Sequence, residues 1–185
     1  DMEILSDRSI MASEKGHTEA LGMEMMITTL KIPEKRMPVL IGKYGETKRK
    51  IEAATQTKIS LSDEISIKGE ALNRLDAENI IKAIGRGFSP EKSMELLEED
   101  KILYIIQLPE KSETIKSRII GTGGKARRNL ERLTKTHVSV YGKTVSVIGS
   151  YENADMAKNA IERFISGSSH KNIYRFLESR KNVKT

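Results

Sequence analysis

The 185-residue chain has no cysteine and no tryptophan, and aromatic residues make up only 4% of it. Without a thiol there is no disulfide scaffold, no cysteine-ligated zinc or iron–sulfur cluster and no cysteine nucleophile. That composition agrees with a reducing compartment. No apolar run approaches the roughly 20 residues that a membrane-spanning helix needs, and the Met-rich stretch 23–27 is short and broken by Glu24. With so few rings, a sheet that stacks bases on exposed aromatics is not expected. The expectation is a soluble, basic, cytoplasmic protein.

What the chain does have is positive charge, unevenly placed. The 32 Lys+Arg outweigh 26 Asp+Glu. The excess is +6 over residues 101–167 and +4 over 168–185, whereas 85–100 carries −3. A polyanionic partner should therefore dock first on the C-terminal half.

The chain also repeats itself. A shift of 79 positions aligns Val39–Leu61 with Arg118–Val140, with identities at Ile41/Ile120, Gly42/Gly121, Gly45/Gly124, Arg49/Arg128, Glu52/Glu131, Thr55/Thr134, Thr57/Thr136 and Ser60/Ser139. A period of this size points to two whole domains rather than a short-period solenoid.

Each copy reads coarsely as β-α-α-β-β-α. Strands are expected at 27–32 and 101–108, each stopped by a proline (Pro33, Pro109). A short helix follows (37–41; 115–120), then the Gly-x-x-Gly, then an amphipathic helix with Ile51 and Ala54, or Leu130 and Leu133, on its apolar face. Two strands come next (57–61 with 65–67; 138–140 with 144–148), the second pair turning tightly at Tyr141-Gly142-Lys143. A closing helix completes each copy (72–84; 153–165). Between the copies, Ser89 followed by Pro90 reads as an N-cap with proline at the first helical position. The segments expected are a mobile tail over 1–22, a first domain over 23–84, a connecting helix within 85–100, a second domain over 101–167 and a C-terminal helix within 168–185. Asp1–Ile10 reads as a remnant ahead of Met11, and Met23, Met25 and Met26 as packing at the first strand.

Two glycines three apart at a helix–helix joint let the backbone turn sharply and approach another chain. The next helix starts there, so its unpaired N–H groups and positive dipole end face the same point, a surface suited to phosphate. In the second copy Gly121, Thr122, Gly123 and Gly124 form the loop, Lys125, Arg127 and Arg128 add mobile charge, and Ile120 and Val138 are candidate groove walls. In the first copy the counterparts are Gly42, Lys43, Tyr44, Gly45 and Lys48, with Tyr44 able to stack on a base or simply to pack. A narrow groove of this kind accepts unstacked bases and excludes a duplex.

On these residues both halves resemble the type I KH domain, whose Gly-x-x-Gly loop clamps about four single-stranded nucleotides by their backbone. The joint Ala83–Leu97, the hairpin Val138–Gly149 and the tail His170–Lys181 are similar to those of the archaeal branch of the Dim-two/partner-of-Nob-one family of pre-ribosomal RNA processing proteins. The resemblance implies an α+β fold of two type I KH domains with a connecting and a C-terminal helix. It implies a non-enzymatic protein without cofactor that binds the 3′ end of small-subunit rRNA, with the second domain as the main clamp. It also implies two protein partners, a Nob-type endonuclease and the alpha subunit of initiation factor two. Eukaryotic relatives lose the first loop, which this chain keeps, so the first copy's share in binding stays open.

The alternatives are weaker. Gly121–Ala126 satisfies G-x-G-x-x-A, but no acidic residue stands near position 141, as a dinucleotide fingerprint requires. Gly124-Lys125 is followed by Ala126, so no Walker loop exists. His17, His137 and His170 lack ligand spacing, and the adjacent carboxylates Glu98, Glu99 and Asp100 suit a solvated cap better than a nuclease metal site. An assembly scaffold with only weak, non-specific RNA binding is the principal competing function.

Overall fold

The computed structural model describes residues 27–182. The tail expected over 1–22, with Asp1–Ile10 and His17, and Met23, Met25 and Met26 lie outside the described residues. Strands β1 (Ile27–Leu30), β2 (Lys58–Leu61) and β3 (Ile65–Lys68) form one antiparallel sheet in the order β1-β3-β2. Strands β4 (Lys101–Gln107), β5 (His137–Tyr141) and β6 (Thr144–Ser150) form the other in the order β4-β6-β5. Helices α1 (Met37–Ile41), α2 (Glu46–Thr55) and α3 (Ala71–Gly85) accompany the first sheet in sequence, and α5 (Glu113–Ile120), α6 (Lys125–Thr134) and α7 (Tyr151–Ile165) the second. A connecting helix α4 (Pro90–Met94) and a final helix α8 (His170–Asn182) complete the order. This is the β-α-α-β-β-α frame twice, an α+β fold of the type I KH kind. The described residues divide into two compact units, 27–31 with 50–78, and 32–49 with 79–182. The first Gly-x-x-Gly therefore groups with the second repeat.

Three of the residues repeated outside the glycines, two threonines and a glutamate, perform the same local task in each copy. Thr55 donates its hydroxyl to the Ile51 carbonyl at 2.7 Å and sits 2.8 Å from the Thr57 hydroxyl. Thr134 does the same with the Leu130 carbonyl and Thr136, both at 2.8 Å. The chain then leaves each helix through a left-handed residue, Gln56 or Lys135, both at φ 52°. Glu52 and Glu131 accept from the backbone N–H of Ile59 and Val138, at 2.7 and 2.9 Å, and so fix the following strand to the helix before it. The apolar faces differ slightly from expectation: Ala54 is exposed and buried Thr55 takes its place, because the threonine hydroxyl is satisfied by the turn above it.

In the second repeat the core gathers Ile119, Leu130, Val145, Val147, Ile161 and Phe164, all fully buried. Helix α8 adds Ile173 and Leu177, one turn apart and fully buried in the same cluster. Helix α8, set apart in the sequence, is thus packed into the second repeat. At the joint, Ser89 caps α4 by accepting from the Lys92 N–H, with Pro90 following as expected. The joint is pinned to β5 through Ser139, which donates to the Arg86 carbonyl at 2.8 Å, and through His137, whose Nε2 lies 2.9 Å from Glu95.

Truncating Leu177 to Ala removes a fully buried side chain and should cost about 2–5 kcal/mol. Glu178→Ala, on the exposed side of the same helix, should stay within about 0.5 kcal/mol. Urea unfolding of the two variants checks the difference.

Candidate functional site

The two Gly-x-x-Gly loops have nearly the same backbone. Gly42 and Gly121 stand at φ/ψ of 72/176° and 70/171°, a region that only glycine enters readily. Each closes the short helix before it and starts the next turn. A Cβ at Gly121 would lie 2.7 Å from the Ala126 Cβ and 2.8 Å from its amide nitrogen, and one at Gly42 would lie 2.7 Å from the Thr47 amide. The first glycine is thus demanded twice, by its dihedrals and by the helix start packed against it. At the loop crest Tyr44 and Gly123 match again, at 53/27° and 56/25°. Nothing lies within 4 Å of where a Gly123 side chain would begin. The crest is open space.

Part of the amide surface is spent internally. The Gly121 N–H donates to the Ser117 carbonyl at 2.8 Å, Gly124 to the Gly121 carbonyl at 3.0 Å, and Lys125 to the Thr122 carbonyl. The N–H groups of Thr122 and Gly123 lie outside these bonds, on exposed residues. The loop is therefore a rigid closed turn that offers two amides at its crest rather than a full row.

The side chains around it distribute as follows. Lys125 and Arg128 are exposed, and Ile120 keeps 38% of its surface at the loop's entry, as Ile41 keeps 37% in the first copy. Arg127 is half-buried, its Nε 3.9 Å from Glu131. Because Glu131 also accepts from Val138 N–H, one carboxylate fixes the strand on one side and attracts Arg127 on the other. Val138 itself is only 3% exposed. Strand alternation turns it to the core with Val145 and Val147, so the wall expected from its side chain is not there. In the first loop Tyr44 is 86% exposed, with Lys43 Nζ 5.5 Å from its ring centroid. It projects rather than packs. Lys48 is half-buried one turn into α2.

Two residues that sequence reasoning passed over brace this site. The Arg118 guanidinium donates to the Phe164 carbonyl at 3.2 Å and to the Ser168 carbonyl, capping the C-terminal end of α7. Arg36 does the same for α3, at 2.7 Å to Ile84 and 2.6 Å to Phe88. Only their position ahead of a glycine joint marks them in the sequence, a signal too generic to single them out.

Substituting the loop glycines should separate their roles. Gly121→Ala, which meets Ala126 and takes a forbidden φ/ψ, should lower the melting temperature clearly. Gly123→Ala, entering open space at dihedrals that Tyr44 already adopts, should cost only on the order of 1 kcal/mol. Calorimetry of the pair tests this order.

Comparison with known proteins agrees with this geometry. Residues 105–182 match a family described as "Eukaryotic type KH-domain (KH-domain type I)", and residues 27–83 match the KH domain family. A KH domain-containing protein of Methanocaldococcus jannaschii is 37% identical over 171 residues, covering 85% of this chain and 75% of that protein. The pre-rRNA-processing protein PNO1 of Chaetomium thermophilum is 27% identical over 126 residues, 63% of this chain and 48% of its own length. The chain thus spans about half of this eukaryotic relative. The crystal structure of Dim2p from Pyrococcus horikoshii OT3 superposes with a TM-score of 0.79 at 42% identity, covering 83% of this chain and 98% of that one. A second Pyrococcus horikoshii OT3 structure, a complex of a/eIF2alpha, aDim2p and rRNA, gives 0.80 at 42% identity over 84% and 94% of the two chains.

Proposed function

Because this chain belongs to the PNO1/Dim2 family of RNA-binding KH proteins, we propose that it grips single-stranded small-subunit rRNA near its 3′ end, with the Gly121–Gly124 loop as the main clamp. The observation that carries the reading is the crest of that loop: two exposed residues, Thr122 and Gly123, whose amides lie outside the loop's internal bonds, with the exposed cations Lys125 and Arg128 close in sequence. Phosphate accepts from such amides and draws the mobile cations, while Ile120 offers apolar surface to a base. The shape suits a single strand, because the clamp touches one backbone from one side. The complex containing aDim2p, a/eIF2alpha and rRNA supports rRNA and the alpha subunit of initiation factor two as partners. The Nob-type endonuclease and the 3′ end rest on the family resemblance.

The first loop has the backbone of the second but different crest side chains, Lys43 and Tyr44. We assign it a secondary share of the binding, with Tyr44 stacking on a base. No catalytic step is assigned; the reading is of a binding and positioning protein.

If about four phosphates are contacted, log K against log salt for a single strand should slope near −3. Thr122→Asp with Gly123→Asp sets two carboxylates where phosphate should lie, at positions with room for them. Binding to single-stranded rRNA should weaken at least about tenfold with the fold intact by circular dichroism; unchanged affinity would refute the clamp. Lys43→Asp with Tyr44→Asp should give a smaller loss in the same titration.

A further inference from the structure

Beside the loop, with Gly121 and Thr122 in its lining, lies an open hollow of about 480 Å³. Three helices meet there. Thr114, Ser117 and Arg118 of α5 share a face with Gly121, Lys125 and Asn129 line α6, and His170 and Tyr174 stand one turn apart on α8. Thr122 and Lys125 belong both to the hollow and to the clamp, so the two surfaces are continuous.

The lining has one chemical character: it holds no carboxylate, two cations, several hydroxyls and an amide, and two rings. Its floor is fixed. Arg118 is held by the Phe164 and Ser168 carbonyls. His170 donates from Nε2 to the Arg118 carbonyl at 3.0 Å, since that oxygen can only accept, which leaves Nδ1 as the ring's unspent polar atom. The His170 ring stands edge-on to Phe164, with centroids 5.1 Å apart, and 6.0 Å from Tyr174. A wall already held in place loses little freedom when a ligand enters.

We propose that this hollow takes one further nucleotide of the strand gripped at Gly121–Gly124: phosphate on Lys125, sugar against the Ser117 and Thr114 hydroxyls, base against the Tyr174 ring. The inference rests on the clamp proposed above. A volume in the range of small-ligand sites, the absence of negative charge, the half-buried rings and the continuity with the loop all favour a nucleotide. An acidic peptide would gain nothing from that continuity. Helix α8 thereby becomes part of the RNA-reading surface as well as part of the core.

The test compares pyrimidine-only RNA strands of four to seven nucleotides, lengthened at the 5′ or the 3′ end, by fluorescence anisotropy. Wild type should gain about tenfold on adding one nucleotide at one end and not at the other, the scale of one stacked base. Ser117→Asp with Asn129→Asp, both at exposed helix positions, should abolish that step while binding to the shortest strand changes less than about threefold. A 4-thiouridine at the added position should crosslink to the peptide containing His170 and Tyr174. A step that survives in the double variant, no step at either end, or a crosslink confined to other peptides would overturn the proposal. The Thr122→Asp, Gly123→Asp variant keeps the two ideas separate: if it loses the shortest strand as well, the clamp stands whatever becomes of the hollow.

Discussion

The structure turns on a glycine that cannot be anything else. At Gly121 the chain must leave α5, reverse, and enter α6 within a few residues, and it does so through dihedrals that a side chain would forbid, with the Ala126 amide pressed against the place a Cβ would occupy. Once that corner is made, the crest residues have nowhere to go but outward and the start of α6 follows directly behind them. Gly42 makes the same corner in the first copy at angles within 5°. The proposed clamp is thus less a collection of ligating side chains than a consequence of how sharply two helices are joined.

The rest of the repeat holds that corner still. Glu131 carries the tension from α6 to β5, the threonine pair ends the helix where the strand must begin, and Arg118 anchors the helix before the loop to the end of α7. None of these residues need touch RNA. The glutamate and the threonine pair recur in the first copy, as the Glu52–Ile59 and Thr55–Thr57 contacts, so the duplicated motif specifies a framework before it specifies a ligand.

Much of this was legible beforehand, for identifiable reasons. The strands stopped at Leu30 and Gln107, within three residues of Pro33 and Pro109 though short of the expected ends at 32 and 108; the joint glycines repeated at one spacing, and the Ser89-Pro90 start was a local cap, short-range rules that tertiary packing did not need to override. What was not legible depended on which way a residue turns. Val138 looked like a groove wall because it follows the helix that frames the groove, but period-two alternation sends it to the core. Ala54 looked apolar enough for that core, yet Thr55 fills the position once its hydroxyl finds the Ile51 carbonyl. The place of α8 could not be read from its amphipathic pattern, which says that Ile173 and Leu177 must be buried but not against what.

The two copies part company at their surroundings rather than at their corners. Both loops have the same backbone, yet one crest carries a lysine and a projecting tyrosine, and the other a threonine and a bare glycine. A glycine crest lets a backbone come close, whereas a tyrosine crest holds a strand off and meets it with a ring. Close approach favours phosphate contacts, which are strong and blind to sequence; a ring favours base contacts, which tolerate any base but need it unstacked. With the larger positive excess also in the second half, the proposed division of labour has a physical basis: a bare crest among cations suits grip on phosphate, and a tyrosine crest suits contact with a base. Both copies present the same isoleucine at the loop's entry, Ile120 and Ile41, so what distinguishes their surroundings is the crest side chains and, beside the second loop, the His170 and Tyr174 rings of α8.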